Sequence, residues 1–202
     1  HGEAPGDLDV VRRNEGRWGE VLAVARAGVN SPRTSSCGRL FDAVAAVLGV
    51  RDRINYEGQA AIELEQLADP SEDAAYPLEL QWEGPGFVLD GVGLFAAVVE
   101  DVRRGVDRRV VAARFHNAVA KGLVAACEAV RAATGLATVA LSGGVFQNLL
   151  LLRRSVVELD GRGFRVLVHG RVPPNDGGIS LGQAAVAGAR LRTRGAERAG
   201  GR

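Results

Sequence analysis

Apolar residues recur at helical spacing through most of this chain and alternate at strand spacing in one short stretch only. Leu8, Val11, Trp18, Val21, Leu22 and Ala25 predict a helix over residues 8–27, closed by Gly28 and the turn residues Asn30, Ser31 and Pro32. After the serine-rich segment 34–36, Leu40, Phe41, Val44, Ala45, Val47 and Leu48 form one face of a second helix that stops at Gly49. A serine or threonine ahead of such a run is an N-cap signal. Residues 60–67 read as a short third helix. Residues 76–82 then alternate apolar and polar, turn at 83–86 and return over 87–90, which predicts a hairpin. A helix over 91–104 with Leu94, Phe95, Val98 and Val99 inward precedes a long one over 106–134, striped by Val110, Val111, Phe115, Val119, Leu123, Ala126 and Val130.

The last third switches to a βα alternation. Strand 138–141 runs through Ser142-Gly143-Gly144 into a helix over 146–159, then strand 164–168 runs through Pro173-Pro174-Asn175-Asp176-Gly177-Gly178 into a helix over 178–191. Such alternation predicts a parallel or mixed sheet with crossover helices. Residues 1–7 are polar with Gly and Pro and predict a frayed start; residues 192–202 lack apolar content and predict a disordered tail. The pattern is that of a helix-rich α/β lobe over residues 1–191.

Composition narrows the chemistry. A chain of 202 residues with 47% hydrophobic content can bury a substantial core, and a net charge of +1 makes no electrostatic case for nucleic acid or a membrane surface. No apolar run reaches the roughly 18 residues of a membrane span, and no targeting segment stands at the start. Cys37 and Cys127 can form at most one bridge and no metal pattern, which suits a reducing cytoplasm. The chain has no Met, so His1 is not a translation start and a piece of a longer polypeptide is expected.

Candidate sites follow from the two glycine loops, which are expected on opposite walls of one nucleotide-phosphate site. Gly143 and Gly144, between a strand and a helix, serve either as a tight turn or as a backbone cradle for an anion at a helix N-terminus. Neither GxxxxGK[ST] nor GxGxxG is present, so a nucleotide held here would be gripped by backbone amides and Asn148. Asp176 either caps the final helix or offers a hard oxygen ligand to a metal. Asp42 reads as an exposed helical carboxylate, and Glu63 suits the first turns of its helix. His116, beside an apolar stripe with no histidine partner at ligand spacing, reads as a packed residue.

The ordered segments TSSCGRLFDAVAAVLG, YEGQAAIELE, ALSGGVFQN and VPPNDGGISLGQA resemble the C-terminal half of the transferase domain of the hydrogenase-maturation carbamoyltransferases, the HypF family. The same region is similar, more distantly, to tRNA threonylcarbamoyl transferases and antibiotic O-carbamoyltransferases. The resemblance implies a lobe of the actin/sugar-kinase/chaperone-ATPase (RNase H-like) fold. It further implies ATP-dependent transfer of a carbamoyl group, derived from carbamoyl phosphate and carried as carbamoyl-adenylate, to the C-terminal cysteine thiol in the tail of HypE. Residue by residue, it assigns Asp42 to the carbamoyl-adenylate as catalytic residue and Gly58 and Glu63 to the nucleoside. Gly143, Gly144 and Asn148 fall to the phosphates, and Asp176 to a divalent metal (iron, zinc or magnesium). The family's HxxxH metal pair is absent here, so half the site is expected in this chain. An ATPase or kinase of the same superfamily, a small-molecule O-carbamoyltransferase and a non-catalytic docking module are the competing readings.

Overall fold

The apolar pattern predicts most helix positions, but the first expected helix is broken by an asparagine side chain. The structure, a computed structural model, describes the backbone of residues 6–84 and 86–200 and the side chains as far as residue 193, so most of the expected frayed start lies outside the described residues. The first expected helix is two: α1 (Asp9–Arg13) and α2 (Glu15–Ala27), broken at Asn14. Asn14 Nδ2 donates to the Val10 carbonyl at 2.9 Å. The side chain thus takes the acceptor that the fourth residue on would use in a continuing helix. The stripe read on α2 does not face a core, since α2 has no buried residue while Leu8 and Val10 are buried.

Helix α3 (Cys37–Val47) begins where the Ser36 hydroxyl accepts from the Arg39 N–H. It ends at left-handed Gly49, with the Val50 N–H donating back to the Ala45 carbonyl at 2.8 Å. Helix α4 is Gln59–Leu67. The hairpin pairs β1 (Leu80–Glu83) with β2 (Gly86–Leu89), Leu80 opposite Leu89, and Trp82 meets Phe87 edge to face across it. Asp90 then caps α5 (Gly91–Arg103), and Asp107 caps α6 (Arg108–Thr134).

Helix α6 organises the rest. At 27 residues it is about 40 Å long. It is long enough to serve two cores in succession. Its first half buries Val111, Ala112, Phe115 and Ala118 against Phe41, Val44 and Ala45 of α3, Leu64 of α4 and Leu94 and Val98 of α5. Further along, Val124 packs with Leu141, Leu159 and Phe164 in a second, smaller core.

That second core carries the βα unit. Strand β3 (Thr138–Leu141) pairs in parallel with β4 (Arg165–Val168) through the crossover helix α7 (Leu149–Gly161). The expected parallel pairing is present; among the described residues it and the hairpin form separate two-stranded sheets. Short 3-10 turns, Gly144–Gln147 and Asp176–Gly178, precede α7 and the last helix, α8 (Ile179–Gly200). The chain from Arg192 to Gly200 is therefore helical, where a disordered tail was expected. Its composition lacks a core-facing stripe but holds no proline to stop a helix already begun. Ile179, Leu181, Val186 and Leu191 along α8 are exposed.

Phe41 is 1% exposed and stacks edge to face on Phe115 with centroids 4.8 Å apart. Phe41→Ala is expected to cost about 3–5 kcal/mol of stability, read as a lowered urea midpoint of the isolated chain at unchanged slope.

Candidate functional site

The register of the parallel pair decides what stands at its end. Leu141 is opposite Val168, so the next residues on each strand, Ser142 and His169, are neighbours, and His169 Nε2 lies 2.8 Å from Ser142 Oγ. Both are exposed. From there the two glycine loops leave together. The Gly143 N–H donates to the Pro174 carbonyl at 2.8 Å, and a Cβ built on Gly144 would meet Asn175 Cβ at 3.9 Å. The loops are joined edges of one surface, not facing walls. Gly143 has φ of 106° and ψ of 158°, a conformation that disfavours a side chain. Gly178 is required by space, because a Cβ there would lie 2.9 Å from the Pro173 carbonyl.

Asn148 stands differently from expectation. It is the N-cap of α7, accepting on its side-chain oxygen from the Leu151 N–H at 2.8 Å, while Nδ2 donates to His116 Nε2 at 2.9 Å. His116 Nδ1 sits 2.7 Å from the Ala112 carbonyl, which can only accept, so the proton is on Nδ1 and Nε2 is the acceptor. Both residues are buried. Both ends of the Asn148 amide are therefore engaged within the protein, and the residue shapes the glycine turn from beneath. The neighbouring Leu150 N–H donates to Glu65 Oε1 at 3.0 Å. With two α7 amides so bonded, and the Gly143 N–H on Pro174, the N-terminus of α7 is not an open anion cradle. His116 is a packed histidine, as read from the sequence; its hold on Asn148, and the cap from Glu65, carry no pattern that a sequence displays.

The remaining candidates divide. Asp42 lies on α3, the helix that touches the Gly144–Gln147 turn, and pairs with Arg39 Nη2 at 3.2 Å. Gly58 is the left-handed N-cap of α4. Glu63 is turned away from the glycine loops. It lies two positions from Glu65, about 200° around the helix, and accepts from Arg51 Nε at 2.8 Å and Gln59 Nε2 at 3.0 Å. The Arg51 guanidinium, then Gln59, hold its carboxyl below the ordinary range. Asp176 is exposed, and capping does not explain it: Asn175 caps the turn, its side chain accepting from the Gly177 N–H at 3.1 Å. Among the described residues no group of three His, Cys, Asp or Glu converges. The described residues do not by themselves fit a divalent metal: Asp176 is a single exposed carboxylate. Cys37 and Cys127 are free thiols, and burial pushes both up in pKa. A concavity of about 390 Å³ between α6 and α7, lined by Asn117, Lys121, Arg153 and Arg154 among others, includes no residue of either glycine loop.

A model of the carbamoyltransferase Kae1-like domain, second subdomain, matches residues 3–183. The chain belongs to this family. Carbamoyltransferase HypF of Synechocystis sp. is 36% identical over 154 residues, 76% of this chain and 19% of the relative. That of Rhodobacter capsulatus is 40% identical over 171 residues, 84% of this chain and 22% of the relative. Among solved structures, full-length HypF in its phosphate- and nucleotide-bound form aligns with a TM-score of 0.85 at 39% identity, over 91% of this chain and 24% of that one. HypF of T. kodakarensis aligns at 0.76 and 27% identity, over 92% of this chain and 25% of that one. The helix-rich α/β architecture is thus that of the Kae1-like domain. This chain spans about a fifth of the curated relatives' length. No helix of the described residues is long and apolar enough to cross a membrane.

Burial pushes the His116 imidazole down to about 4 in the folded chain, against an ordinary value of 6.5. The unfolded chain then binds the proton more readily, so stability is complete above about pH 6.5 and falls as pH drops toward 4. Urea midpoints across pH 4–7 are expected to slope down on the acid side, and His116→Gln is expected to flatten that slope.

Proposed function

We propose that this chain forms one side of a carbamoyl-transfer site, completed by residues outside it. In the full-length protein the reaction is ATP-dependent transfer through carbamoyl-adenylate to the C-terminal cysteine thiol of HypE, in the cytoplasm, with carbamoyl phosphate as the donor upstream. The observation that carries this reading is the joining of the two glycine loops at the ends of a parallel strand pair, in a chain that belongs to the carbamoyltransferase family. Open α/β sheets bind ligands at that edge of the strands.

Each residue has a role in this reading. Gly143 and Gly144 let the turn approach the adenylate closely, with Gly144 the glycine free to face it. Asn148 holds the turn from below, through its cap and its bond to His116. Asp176 supplies a carboxylate to a divalent ion whose other ligands come from elsewhere; when bound, the ion neutralises phosphate charge. Asp42 reaches the carbamoyl end from α3. Gly58 and Glu63 serve the nucleoside; Glu63 is an acceptor for ribose hydroxyls only if Arg51 and Gln59 yield part of its two oxygens. The catalytic demand of acyl transfer from a mixed anhydride is positioning and charge stabilisation, which suits a surface of backbone and carboxylate groups.

The test uses full-length protein and the isolated chain in parallel. With carbamoyl phosphate, ATP and a cysteine-ended acceptor peptide, the full-length protein is expected to transfer carbamoyl. Asp176→Ala is expected to lower the rate about a hundredfold or more. The isolated chain is expected to bind ATP more weakly than micromolar and to transfer nothing; micromolar affinity or transfer by this chain alone overturns the half-site reading.

A further inference from the structure

We propose that Ser142 and His169 form a proton relay serving the acceptor nucleophile of the transfer reaction, an assignment that rests on the carbamoyl-transfer reading above. The argument begins with strand register. Ser142 and His169 are the first residues beyond the paired ends Leu141 and Val168, so a parallel ladder sets them side by side, and their side chains meet at 2.8 Å. Both are exposed. Neither burial nor a core contact accounts for the pairing, whereas buried His116 has both nitrogens bonded within the core.

Their position is at the reacting edge. Ser142 is joined by one peptide bond to Gly143, whose N–H ties the first glycine loop to Pro174 of the second. An anhydride lying along Gly143 and Gly144 is therefore within side-chain reach of the dyad. Gly143 and Gly144 themselves carry no side chain to take a proton. The acceptor thiol must lose one, and imidazole is the side chain whose ordinary titration lies nearest neutrality.

The step balances as follows. The thiol sulfur forms a bond to the carbamoyl carbon, and the carbon–oxygen bond to the adenylate phosphate breaks, its electron pair leaving on the phosphate oxygen of AMP. The thiol proton passes to Ser142 Oγ as the Ser142 hydroxyl proton passes to His169 Nε2, leaving an imidazolium that returns its proton to solvent. No further reactant is needed.

The experiment uses full-length protein with carbamoyl phosphate, ATP and a cysteine-ended acceptor peptide. His169→Gln, His169→Ala and Ser142→Ala are each expected to lower kcat for thiol carbamoylation by about 10²–10⁴-fold while leaving the dissociation constant for ATP within about threefold. Free imidazole is expected to restore part of the rate to His169→Ala, and Ser142→Thr, which keeps the hydroxyl, is expected to retain most of it. Unchanged ATP binding shows that the variants are folded. A parallel loss of ATP affinity and rate makes His169 a phosphate contact and overturns the relay, as does a wild-type rate in His169→Gln. Absence of transfer by the wild-type protein overturns the carbamoyl-transfer reading itself, and the relay with it.

Discussion

The hydrogen bond from the Asn148 amide to His116 is the constraint on which the candidate site depends. It lies in the core, beneath the glycine turn, with Phe41 and Phe115 edge-on to the imidazole at centroid distances of 5.2 and 5.9 Å. In such surroundings a satisfied polar pair is strong, and a broken one leaves two orphaned groups. Because the same asparagine caps α7, the bond fixes where that helix starts. That start fixes the path from β3 to α7, and with it the place of Gly143 and Gly144. A buried residue on α6 thus determines the geometry of an exposed loop.

The site so built is an edge and not a cavity. Its parts arrive from four elements: the glycine turn after β3, the proline-rich loop after β4, α3 beside the turn, and α4 reaching α7 through Glu65. The long helix α6 makes this convergence possible by running through both cores, so that the helical layer and the βα unit are carried on one rigid element. The concavity between α6 and α7 is elsewhere because loops at the ends of strands project outward from the cores that support them.

Charge is distributed with the same logic. Glu63 is held by Arg51 and Gln59 and kept ionised, whereas Asp176 stands exposed at the head of its turn. An ionised carboxylate already satisfied within its own segment is a structural group until something displaces its partners. A carboxylate on an exposed turn, relieved of capping duty by Asn175, is free for a ligand. The two acidic residues look alike in a sequence and differ in what surrounds them.

Periodicity alone determined the helices around Phe41, Leu64, Leu94 and Phe115, the hairpin, and the βα alternation with its two glycine loops, because these follow from local spacing and from residues that start or stop an element. The ordered motifs also carried the family. Asn14 and Asn148 were not legible in the same way, since an asparagine at helical spacing reads alike whether it breaks, caps or merely occupies the helix. Which it does depends on the acceptor or donor the tertiary structure brings to its amide. The pairing of Ser142 with His169, 27 positions apart, came only from the register of β3 on β4. The joining of Gly143 to Pro174 likewise required the loops to fold onto one edge. Local pattern sets the elements, while contacts between distant residues, which have no period, decide the site.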